Sequence, residues 1–551
     1  MKKGVLLVKA FIIILVLMLA FTGCVVSEGE GGTKNTAGTS GKVIENLNLT
    51  GLPIVNEKVT LTVGGPKSND MADFETMWFW QRAEEKTNVH IDWQMSPEEG
   101  WKEKISLIFF ANDLPDIMMG GALFNTMADK ITEYGTQELI VPLDNLIKEY
   151  APRINEIFEQ RPDYVKSITV PDGHVYTIPN IMEDKNISGQ VMMINKYWLG
   201  KVGLDIPKTT DEFYNVLKAF KGKDLNENNK DDEIPFTFCY NQGDFRTLLG
   251  SWGIMENGNH IIVKDGEVIF SAIQEEYKEA IKYFHKLFAE GLADEESLTQ
   301  ARKIANAKIR RPARNEQIVG VFQGWSLKTH FGNIDLSDFD YVMPLTGPKG
   351  DQAAFLLNPQ TSGMIRKGGF CITKANKNPE ISIRWADYLH DEWVSWESYY
   401  GQENKHWKKE DGKLVMLDLP EGVKEAQWYS TDNPRNFSFT ILMDFYNRQN
   451  VQAGDLKLEK DHLDAVYGEY RSKTFTTYPD ALFDSDEINV AATIGVDINN
   501  YVNQTVANWL LNGGVDEGWD EYVKRLVEKM ELETLMESYR QAYARYNKGT
   551  K

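Results

Sequence analysis

Cysteine is scarce in this sequence, which has only three among 551 residues, at Cys24, Cys239 and Cys371. So few thiols exclude a disulfide-stapled scaffold and a zinc site built from several thiolates. Cys239 and Cys371 each lie in a short apolar run, which predicts that both are buried as small hydrophobic side chains. A disulfide between them would be possible in an oxidising compartment, but they fall in different lobes of the predicted fold, where a bridge would hinder relative movement.

Basic residues are in deficit, with 60 Lys and Arg against 81 Asp and Glu, so the formal net charge is −21. This disfavours nucleic acid as a partner, because such binding depends on neutralising phosphates. The eight His are scattered, and there is no His-Glu-x-x-His, no Gly-x-Ser-x-Gly and no phosphate-binding loop. These absences argue against zinc, serine and nucleotide-dependent enzymes. The carboxylate pair of a glycosidase has no sequence spacing of its own, so a surface glycoside hydrolase or lyase remains an alternative.

Long hydrophobic runs are also missing, apart from one near the N-terminus. Residues 10–21 are apolar, but about a dozen residues are too few to span a bilayer comfortably. Lys2 and Lys3 precede this run, and small residues lead from it to Cys24. The pattern predicts a lipoprotein signal peptide over residues 1–23, with Cys24 lipidated by diacylglycerol and then exposed by cleavage. An uncleaved anchor helix is the alternative.

The segment after the predicted cleavage site has the composition of a linker. Residues 27–42 are rich in Gly, Ser and Thr, which is typical of a flexible tether. We therefore predict a tether over residues 24–50 that holds a folded protein at the extracytoplasmic face of the cell membrane. The acidic composition offers no basic face for lipid headgroups, so the lipid on Cys24 is the only attachment that we expect.

The chain that follows is long enough for two lobes, since about 525 residues exceed what one hydrophobic core usually serves. Strand-like and helix-like segments alternate, which predicts an α/β fold with a mostly parallel sheet covered on both faces. The first strands are predicted at 59–63, 89–95 and 116–119, with helices over 71–87 and 97–112. Glycine pairs at Gly64-Gly65 and Gly120-Gly121 end two of these strands, and ligands in such sheets lie beyond the strands' carboxyl ends.

Residues 224–235 carry oxygen-bearing side chains at nearly every second position. They are Asp224, Asn226, Asn228, Asp232 and Glu233, with Lys230 between them to offer its backbone carbonyl. Six oxygens from one tight loop suit a hard dication such as calcium. The last two side chains stand at positions 9 and 10, so this is not an EF-hand, and Asn229 stands where glycine is usual, which asparagine tolerates. The alternative is a solvated polar turn between a helix and a strand.

This loop resembles the calcium loop of the alginate-oligosaccharide-binding proteins, which belong to the sugar-binding lipoproteins of ABC importers. In that family the ligands lie on Asp-x-Asn-x-Asn-x-Lys-x-Asp-Glu, and residues 224–233 match this pattern position by position. The family usually has glycine where this chain has Glu227 and Asn229. Further segments resemble the family in the same order along the chain, at 109–121, 171–179, 192–203 and 369–389. The resemblance covers most of the chain, from Pro53 to Tyr546.

The resemblance implies a type II, maltose-binding-protein-like fold, in which two α/β lobes close over a ligand about a hinge. It places the first lobe at 51–188 and 350–400, and the second lobe at 189–349 and 401–551. The implied function is capture of an oligosaccharide for an ABC importer, without catalysis. The implied partners are membrane permease subunits, and the implied cofactor is a structural calcium ion in a monomeric protein. A sugar-sensing lipoprotein is a further alternative.

Aromatic residues are abundant, with 14 Trp and 23 Tyr. Their flat faces pack against the C–H faces of sugars, while planar polar side chains bind the hydroxyls. Trp325 is the strongest candidate ligand contact, because it follows a predicted strand directly in Gly-Trp-Ser. The other candidates near predicted loops are Trp252, Trp78, Trp80, Trp396 and Tyr400, with Arg246, Asn241 and Arg366 as polar partners. The alternative places each aromatic residue in the core or at a rim.

Two further segments have a recognisable pattern. Residues 301–314 form a basic island, which we interpret as a solvated helix ending near Pro312, with contact to an acidic sugar as the alternative. Apolar residues from about 519 to 546 recur at helical spacing and predict a last helix docked on the core.

Overall fold

Four β-sheets organise the part of the chain that the computed structural model describes. The described residues are 45–69, 71–120, 123, 129–183, 190–239, 245–311, 313–331, 336–354, 364–417, 420, 425–437, 439–449, 451–452 and 455–548. The strands are β1 (Val59–Lys67), β2 (Val89–Pro97), β3 (Ile117–Met119), β4 (Ile178–Met182), β5 (Val191–Asn195), β6 (Ile234–Thr237), β7 (Ile261–Lys264), β8 (Glu267–Phe270), β9 (Val319–Gly324), β10 (Phe339–Val342), β11 (Met364–Ile372), β12 (Trp407–Glu410), β13 (Lys413–Met416), β14 (Thr440–Ile441), β15 (Val451–Gln452) and β16 (Phe475–Thr477).

Helices cover and connect these sheets. The α-helices are α1 (Trp78–Thr87), α2 (Trp101–Ala111), α3 (Asp129–Thr136), α4 (Asp144–Tyr150), α5 (Pro152–Gln160), α6 (Pro162–Ile168), α7 (Lys196–Val202), α8 (Thr210–Phe220), α9 (Glu275–Ala289), α10 (Arg302–Ile309), α11 (Leu327–Phe331), α12 (Pro379–Leu389), α13 (Glu392–Tyr400), α14 (Glu425–Ser430), α15 (Met443–Arg448), α16 (Asp455–Gly468), α17 (Ser485–Val490), α18 (Val496–Asn512), α19 (Val515–Lys529) and α20 (Leu532–Lys548). Short 3-10 helices lie at Phe74–Thr76, Phe245–Trp252, Ser271–Ile273, Glu295–Leu298, Arg314–Glu316 and Arg435–Phe437, and a π-helical turn lies at Ala491–Gly495.

The largest sheet has six strands in the order β14-β4-β11-β3-β1-β2 and defines the first lobe. β1 runs parallel to β2 and β3, as predicted, but β11 runs antiparallel to β3 and β4, so the sheet is mixed. The reason is topological, because the chain returns from the other lobe and β11 enters this sheet at the end where β3 and β4 finish. A return of this kind leaves no trace in strand–helix alternation.

Glycine in β1 has a packing role. The pair Gly64-Gly65 was expected to end the strand, yet β1 continues to Lys67. A Cβ on Gly65 would lie 1.9 Å from the carbonyl oxygen of Met119 in β3. The glycine is therefore required where two strands approach closely inside the sheet, and not only where the chain turns.

The second lobe is organised by a four-stranded sheet in the order β10-β5-β9-β6. Only β6 and β9 are parallel, because β5 runs against both β9 and β10. One face of this sheet packs on α8, α9 and α18 through a large cluster that includes Trp198, Phe213, Phe236 and Val321. These four side chains have essentially no exposed surface, so they form the centre of the second-lobe core.

Part of the region expected in the second lobe packs on the first. β14, within the range 401–551, pairs in parallel with β4 of the six-stranded sheet. The three-stranded sheet β12-β13-β15 joins it through Trp407, which packs with Trp396 of α13 and Phe445 of α15. Aromatic burial across this sheet therefore holds residues near 401–452 with the first lobe, while α16 to α20 pack on the second.

The predicted last helix consists of two helices. α19 and α20 are separated at Glu531, which has a positive φ of 55° and so interrupts the helix. The predicted apolar stripe is nonetheless part of the second-lobe core, because Tyr522, Leu526 and Leu535 are buried there. Among the residues that the structure describes, no helix is both long and apolar enough to cross a bilayer.

The two described cysteines are free thiols. Cys371 is fully buried, as predicted, and burial raises the pKa of its thiol to about 12. Cys239 is half-buried at the end of β6. They therefore contribute as small apolar groups, Cys371 fully and Cys239 in part.

Candidate ligand-binding cleft

Three connections carry the chain between the lobes and determine which sheet edges face each other. They run from β4 to β5, from β10 to β11 and from β15 to α16, and each includes residues outside the described part. β4 ends where β11 begins, since Met182 pairs with Met364. β5 begins where β9 ends, since Val191 pairs with Gly324. The ends of the two sheets that carry these strand termini therefore face each other across a crevice. Ligands of α/β folds bind in such crevices.

A cavity of about 780 Å³ lies between the lobes, within the usual size range of small-molecule sites. Both lobes contribute to its surface. The first lobe supplies Lys102, Asp129 and Lys367, and Leu482 packs in the core of that lobe. The second lobe and the segment before α17 supply Asn257, Asn259, Ile261, Tyr478, Pro479, Asp480, Ala481, Phe483, Ile488, Ala491, Ala492, Val496 and Tyr539. A ligand in this space would contact both lobes at once, so its binding would favour their closure.

Aromatic rings form one side of the cavity. Tyr539 of α20 meets Tyr478 edge-on, with ring centroids 5.0 Å apart, and meets Phe483 in the same way at 4.9 Å. The carbonyl of Phe483 accepts a hydrogen bond from the hydroxyl of Thr132, which ties this side to the first lobe. Burial raises the pKa of Tyr539 to about 12, so its hydroxyl is neutral and can donate a hydrogen bond at any physiological pH.

Charged side chains from both lobes meet in the same cavity. The Nζ of Lys367 lies 3.5 Å from an Oδ of Asp480, and both side chains are partly exposed. This separation is longer than that of a charge-assisted hydrogen bond, so a ligand can compete for either partner. Lys102 and Asp129 add a second ammonium and a second carboxylate. Together these groups offer donors and acceptors to a ligand that is rich in hydroxyls.

Trp325 lies at the facing edge of the second lobe, directly after β9, and its side chain is half-buried. The chain beyond it is held in place because the backbone N–H of Leu327 donates to the hydroxyl of Tyr341, at 2.8 Å. His330 follows on α11, where burial lowers its pKa to about 4. The imidazole is therefore neutral near pH 7.

Arg246 belongs to the 3-10 helix Phe245–Trp252, which covers the same sheet edge, and its side chain is half-buried. The next residue, Thr247, accepts a hydrogen bond from the side-chain amide of Gln323 in β9, at 2.8 Å. The fold thus brings Arg246 and Trp325 to one edge, although they are far apart in sequence. The third predicted residue of this group, Asn241, lies outside the described residues.

Trp78 and Arg366 lie on the first-lobe side. Trp78 is the first residue of α1, which follows the carboxyl end of β1, and its half-buried ring lies 5.3 Å from the Arg82 guanidinium. Arg366 pairs with Asn180 of β4 near the start of β11 and is also half-buried. Both therefore belong to the edge that faces the second lobe.

Three of the aromatic candidates are core residues, which corrects their assignment to the cleft. Trp396 has no exposed surface, and Trp80 and Trp252 are 5% and 7% exposed. Tyr400 is half-buried, and its ring stacks on Trp396 with centroids 4.1 Å apart. Other aromatic rings already cover these side chains, for example Trp385 on Trp80. Sequence position near a loop does not predict the burial of these side chains, because a helix buries one of its faces even where a loop follows it.

The loop 224–233 lies between α8 and β6, at the end of the second-lobe strands that is opposite to Trp325. Both Asp224 oxygens accept hydrogen bonds at 3.0 Å, from the backbone N–H groups of Asn228 and Asn229. Asn226 is 2% exposed and donates to the carbonyl of Gln317 at 3.0 Å. The loop is therefore a closed turn, and Asn226 anchors it to the segment that precedes β9.

Backbone conformation explains the two departures from the family pattern in this loop. Glu227 and Asn229, which stand where the family usually has glycine, both have positive φ, at 61° and 59°. Asparagine adopts this conformation readily, whereas glutamate does so at some cost. Lys201 forms an ion pair with Glu227 at 2.8 Å, so the Glu227 side chain makes a contact that glycine would lack.

The loop contains one buried polar atom without a partner. Glu233 accepts a hydrogen bond from Leu225 N–H through Oε1 at 2.8 Å, whereas its Oε2 is buried and unpaired. Within the described residues, no group of three or more His, Cys, Asp or Glu is placed to hold a metal ion. A cation in this loop would therefore use the amide and carbonyl oxygens together with the carboxylates.

Two residues of the basic island form ion pairs with nearby carboxylates. Lys308 of α10 lies 2.6 Å from Asp294 and 2.7 Å from Glu296, and Arg314 pairs with Asp338 at 2.6 Å. These contacts agree with a solvated helix and surface ion pairs. Pro312, the predicted end of the helix, lies outside the described residues, and α10 ends at Ile309.

A cavity enclosed by two α/β lobes, with three connections between them, defines a ligand-binding protein of the hinged two-lobe class. Comparison with known proteins agrees, because the model of the bacterial extracellular solute-binding protein family matches residues 66–392. The chain belongs to this family.

Its relatives include an ABC transporter substrate-binding protein and a lipoprotein. The fructooligosaccharide ABC transporter substrate-binding protein FusA of Streptococcus pneumoniae is 30% identical over 536 residues, which is 94% of this chain and 95% of FusA. Lipoprotein LipO of Bacillus subtilis is 23% identical over 390 residues, 69% of this chain and 73% of LipO.

Solved structures agree with this relationship. FusA with kestose and a FusA EF-hand mutant with fructo-nystose each cover 89% of this chain and 99% of their own, at 30% and 29% identity with TM-scores of 0.74 and 0.75. The alginate-binding protein AlgQ2 without calcium ion is 22% identical and has a TM-score of 0.66 over 90% of this chain and 100% of its own, which shows the shared fold.

Sequence reasoning missed most of the residues that line the cavity. Lys102, Asp129 and Lys367 come from three separate elements, and Asp480 comes from the far end of the chain. No local pattern marks such residues, since each is an ordinary polar residue in its own segment. One signal was available in residues 488–496, where apolar side chains recur at helical spacing before the predicted last helix.

Proposed function

We propose that this protein is the substrate-binding component of an ABC importer and captures an oligosaccharide between its lobes. The observation that carries the proposal is the cavity of about 780 Å³ shared by both lobes. Membership of the solute-binding family supports it, as does the relationship to FusA over nearly the whole of both chains. Fructooligosaccharides are accordingly the first ligands to test.

The chemistry of the cavity suits a sugar. Tyr478, Phe483 and Tyr539 provide apolar faces for sugar C–H groups, and the lysine, aspartate and asparagine side chains provide donors and acceptors for hydroxyls. A capture protein has to release its ligand to the transporter, so we expect a micromolar dissociation constant, or roughly −8 kcal/mol. Trp325 and Arg246, with Trp78 and Arg366 opposite, would extend the site along the facing edges.

Isothermal titration calorimetry with kestose, maltotriose and trigalacturonate tests this function. We expect micromolar binding of at least one neutral trisaccharide and a smaller radius of gyration by solution scattering when it binds. Mass spectrometry of the sugars after prolonged incubation separates capture from catalysis. Cleaved sugars would assign the protein to the glycosidases or lyases, and no binding to any member of a wider glycan panel would contradict oligosaccharide capture.

We also propose that calcium binds in the loop 224–233 and has a structural role. The residues that would hold it are Asp224, Asn226, Asn228, Asp232, Glu233 and the carbonyl of Lys230. Support comes from the unpaired Oε2 of Glu233, an oxygen that a cation would satisfy, and from the mixture of carboxylate and amide oxygens that calcium prefers. The loop lies at the edge away from the cleft, so the ion would stabilise the lobe and not touch the sugar.

We further propose that the protein is a monomer, attached to the extracytoplasmic face of the membrane by lipid at Cys24, and that it delivers its ligand to permease subunits. The signal-like N-terminus and the relationship to LipO support the anchor. Cys24 lies outside the described residues. In the producing bacterium, Cys24→Ser should release the protein into the medium or leave the precursor uncleaved. Unchanged size and membrane retention would contradict lipidation.

A further inference from the structure

The helix that begins at Ser485 changes its winding where it borders the cavity. α17 continues into a π-helical turn, Ala491–Gly495, and then into α18 without a break. A π turn adds one residue to the turn and shifts the helix faces on either side of it relative to each other. Such turns are rare and frequently lie at functional sites. The position of this one beside the cavity therefore needs a reason.

One face of this helix is apolar and open to the cavity. Ile488, Ala491, Ala492 and Val496 follow the spacing i, i+3, i+4 and i+8, which is typical of a buried face. Here these side chains line the cavity, and Val496 is 49% exposed. The same helix buries a separate stripe in the second-lobe core, formed by Ile498, Val502, Val506 and Trp509. The helix thus has two apolar faces, of which one is packed and one is not.

The groups around this open face are polar. Lys102, Asp129 and Lys367 come from the first lobe, and Asp480 and Asn259 come from the second. A purely apolar ligand would offer these groups no hydrogen-bond partner, whereas a purely polar ligand would gain nothing from the apolar face. A sugar ring satisfies both, because it has a C–H face on one side and hydroxyls around its edge.

From this arrangement we infer that the open face of Ile488, Ala491, Ala492 and Val496 is the wall on which a sugar ring of the ligand rests. The inference rests on the proposed capture of an oligosaccharide and specifies one of its subsites. The π turn has a function in this arrangement, because it directs small side chains at the cavity while the packed stripe stays in the core. Ala491 and Ala492 leave room for a ring, and Val496 contacts its face.

Two substitutions test the wall by calorimetry with the kestose, maltotriose and trigalacturonate panel. Val496→Asp places a carboxylate where the C–H face would lie, and Ala492→Leu fills the space for the ring. Each should weaken binding of the sugar that the unmodified protein binds best by about tenfold or more, the scale on which small changes act in a shaped pocket. Gln504→Asp, on an exposed turn of α18 that does not line the cavity, is the matched control and should bind as the unmodified protein does.

Melting temperatures separate loss of the wall from loss of the fold. Both cavity variants change partly or fully exposed side chains, so we expect melting temperatures close to that of the control. Binding within twofold of the unmodified protein in both variants would overturn the wall while leaving oligosaccharide capture intact. If the unmodified protein binds no sugar of the wider panel, capture itself fails, and the wall fails with it.

Discussion

The two lobes are stabilised differently. Trp198, Trp385, Trp396 and Trp407 are the tryptophans with less than 2% exposure among the described residues, and only Trp198 belongs to the second lobe. The first lobe also buries His390, which is 4% exposed, and Asp387, whose side chain has no exposed surface. The second lobe instead contains a polar loop at one edge of its sheet and an open apolar wall at the other side. Aromatic rings therefore fill both cores, but the first lobe has more fully buried tryptophan, and the second has in addition a loop that suits a cation.

The largest expected effect follows from breaking the aromatic packing of the first lobe. Trp396→Ala should lower the free energy of unfolding by about 3–5 kcal/mol, because a large buried ring is replaced by a cavity. Urea denaturation followed by tryptophan fluorescence measures this. Trp396→Phe is the matched control and should cost less, since it keeps a ring and removes an indole N–H that has no hydrogen-bond partner. Equal losses for both variants would contradict a packing origin.

A somewhat smaller effect is expected from acid. Burial lowers the pKa of His390 to about 4 from an ordinary value near 6.5. The unfolded chain takes up a proton before the folded protein does, so stability present above pH 6.5 is lost as the pH falls towards 4. The loss from this residue approaches about 3 kcal/mol. Urea denaturation at a series of pH values should show a shallower slope for His390→Asn than for His174→Asn, whose side chain is exposed. Identical slopes would contradict this assignment.

Removal of the proposed calcium ion tests whether the second lobe depends on the loop 224–233 for stability. If calcium is present at about a hundredfold above its dissociation constant, its removal by EDTA should cost roughly 2.7 kcal/mol, and the melting temperature should fall by several degrees. Asp224→Ala should lower the melting temperature without EDTA and abolish the response to it. Asp231→Ala changes an exposed residue of the same loop outside the predicted ligand set and should keep the response. No metal by elemental analysis, together with an unchanged melting curve in EDTA, would remove this difference between the lobes.

The smallest effect on stability is expected at the facing edge of the second lobe. Trp325→Ala removes a half-buried ring, so its cost should be well below that of Trp396→Ala, while sugar binding should weaken by about tenfold. Calorimetry and thermal denaturation of the same samples measure both. A stability loss as large as that of Trp396→Ala, with binding unchanged, would identify Trp325 as a core residue.

Local chemistry explains which local features could be predicted. The loop at 224–233 was predictable because all its oxygens come from ten consecutive residues, and the structure has the closed turn and the positive φ angles that the pattern requires. Trp325 was placed correctly at a strand end because strand ends are local features as well. Trp80, Trp252 and Trp396 were misplaced because burial depends on what packs against a helix, and here other aromatic rings from distant segments do so.

The sequence by itself determined the α/β class and the oxygen-rich loop, since each depends on the order of neighbouring residues, and the length of the chain predicted the division into two lobes. The tertiary structure alone decided the mixed strand directions, the attachment of residues near 401–452 to the first lobe and the lining of the cavity. The physical reason is that these features depend on contacts between segments far apart in the chain. Lys367 and Asp480, for example, are separated by more than a hundred positions, yet they lie 3.5 Å apart in the cavity because β11 and the segment before α17 meet there.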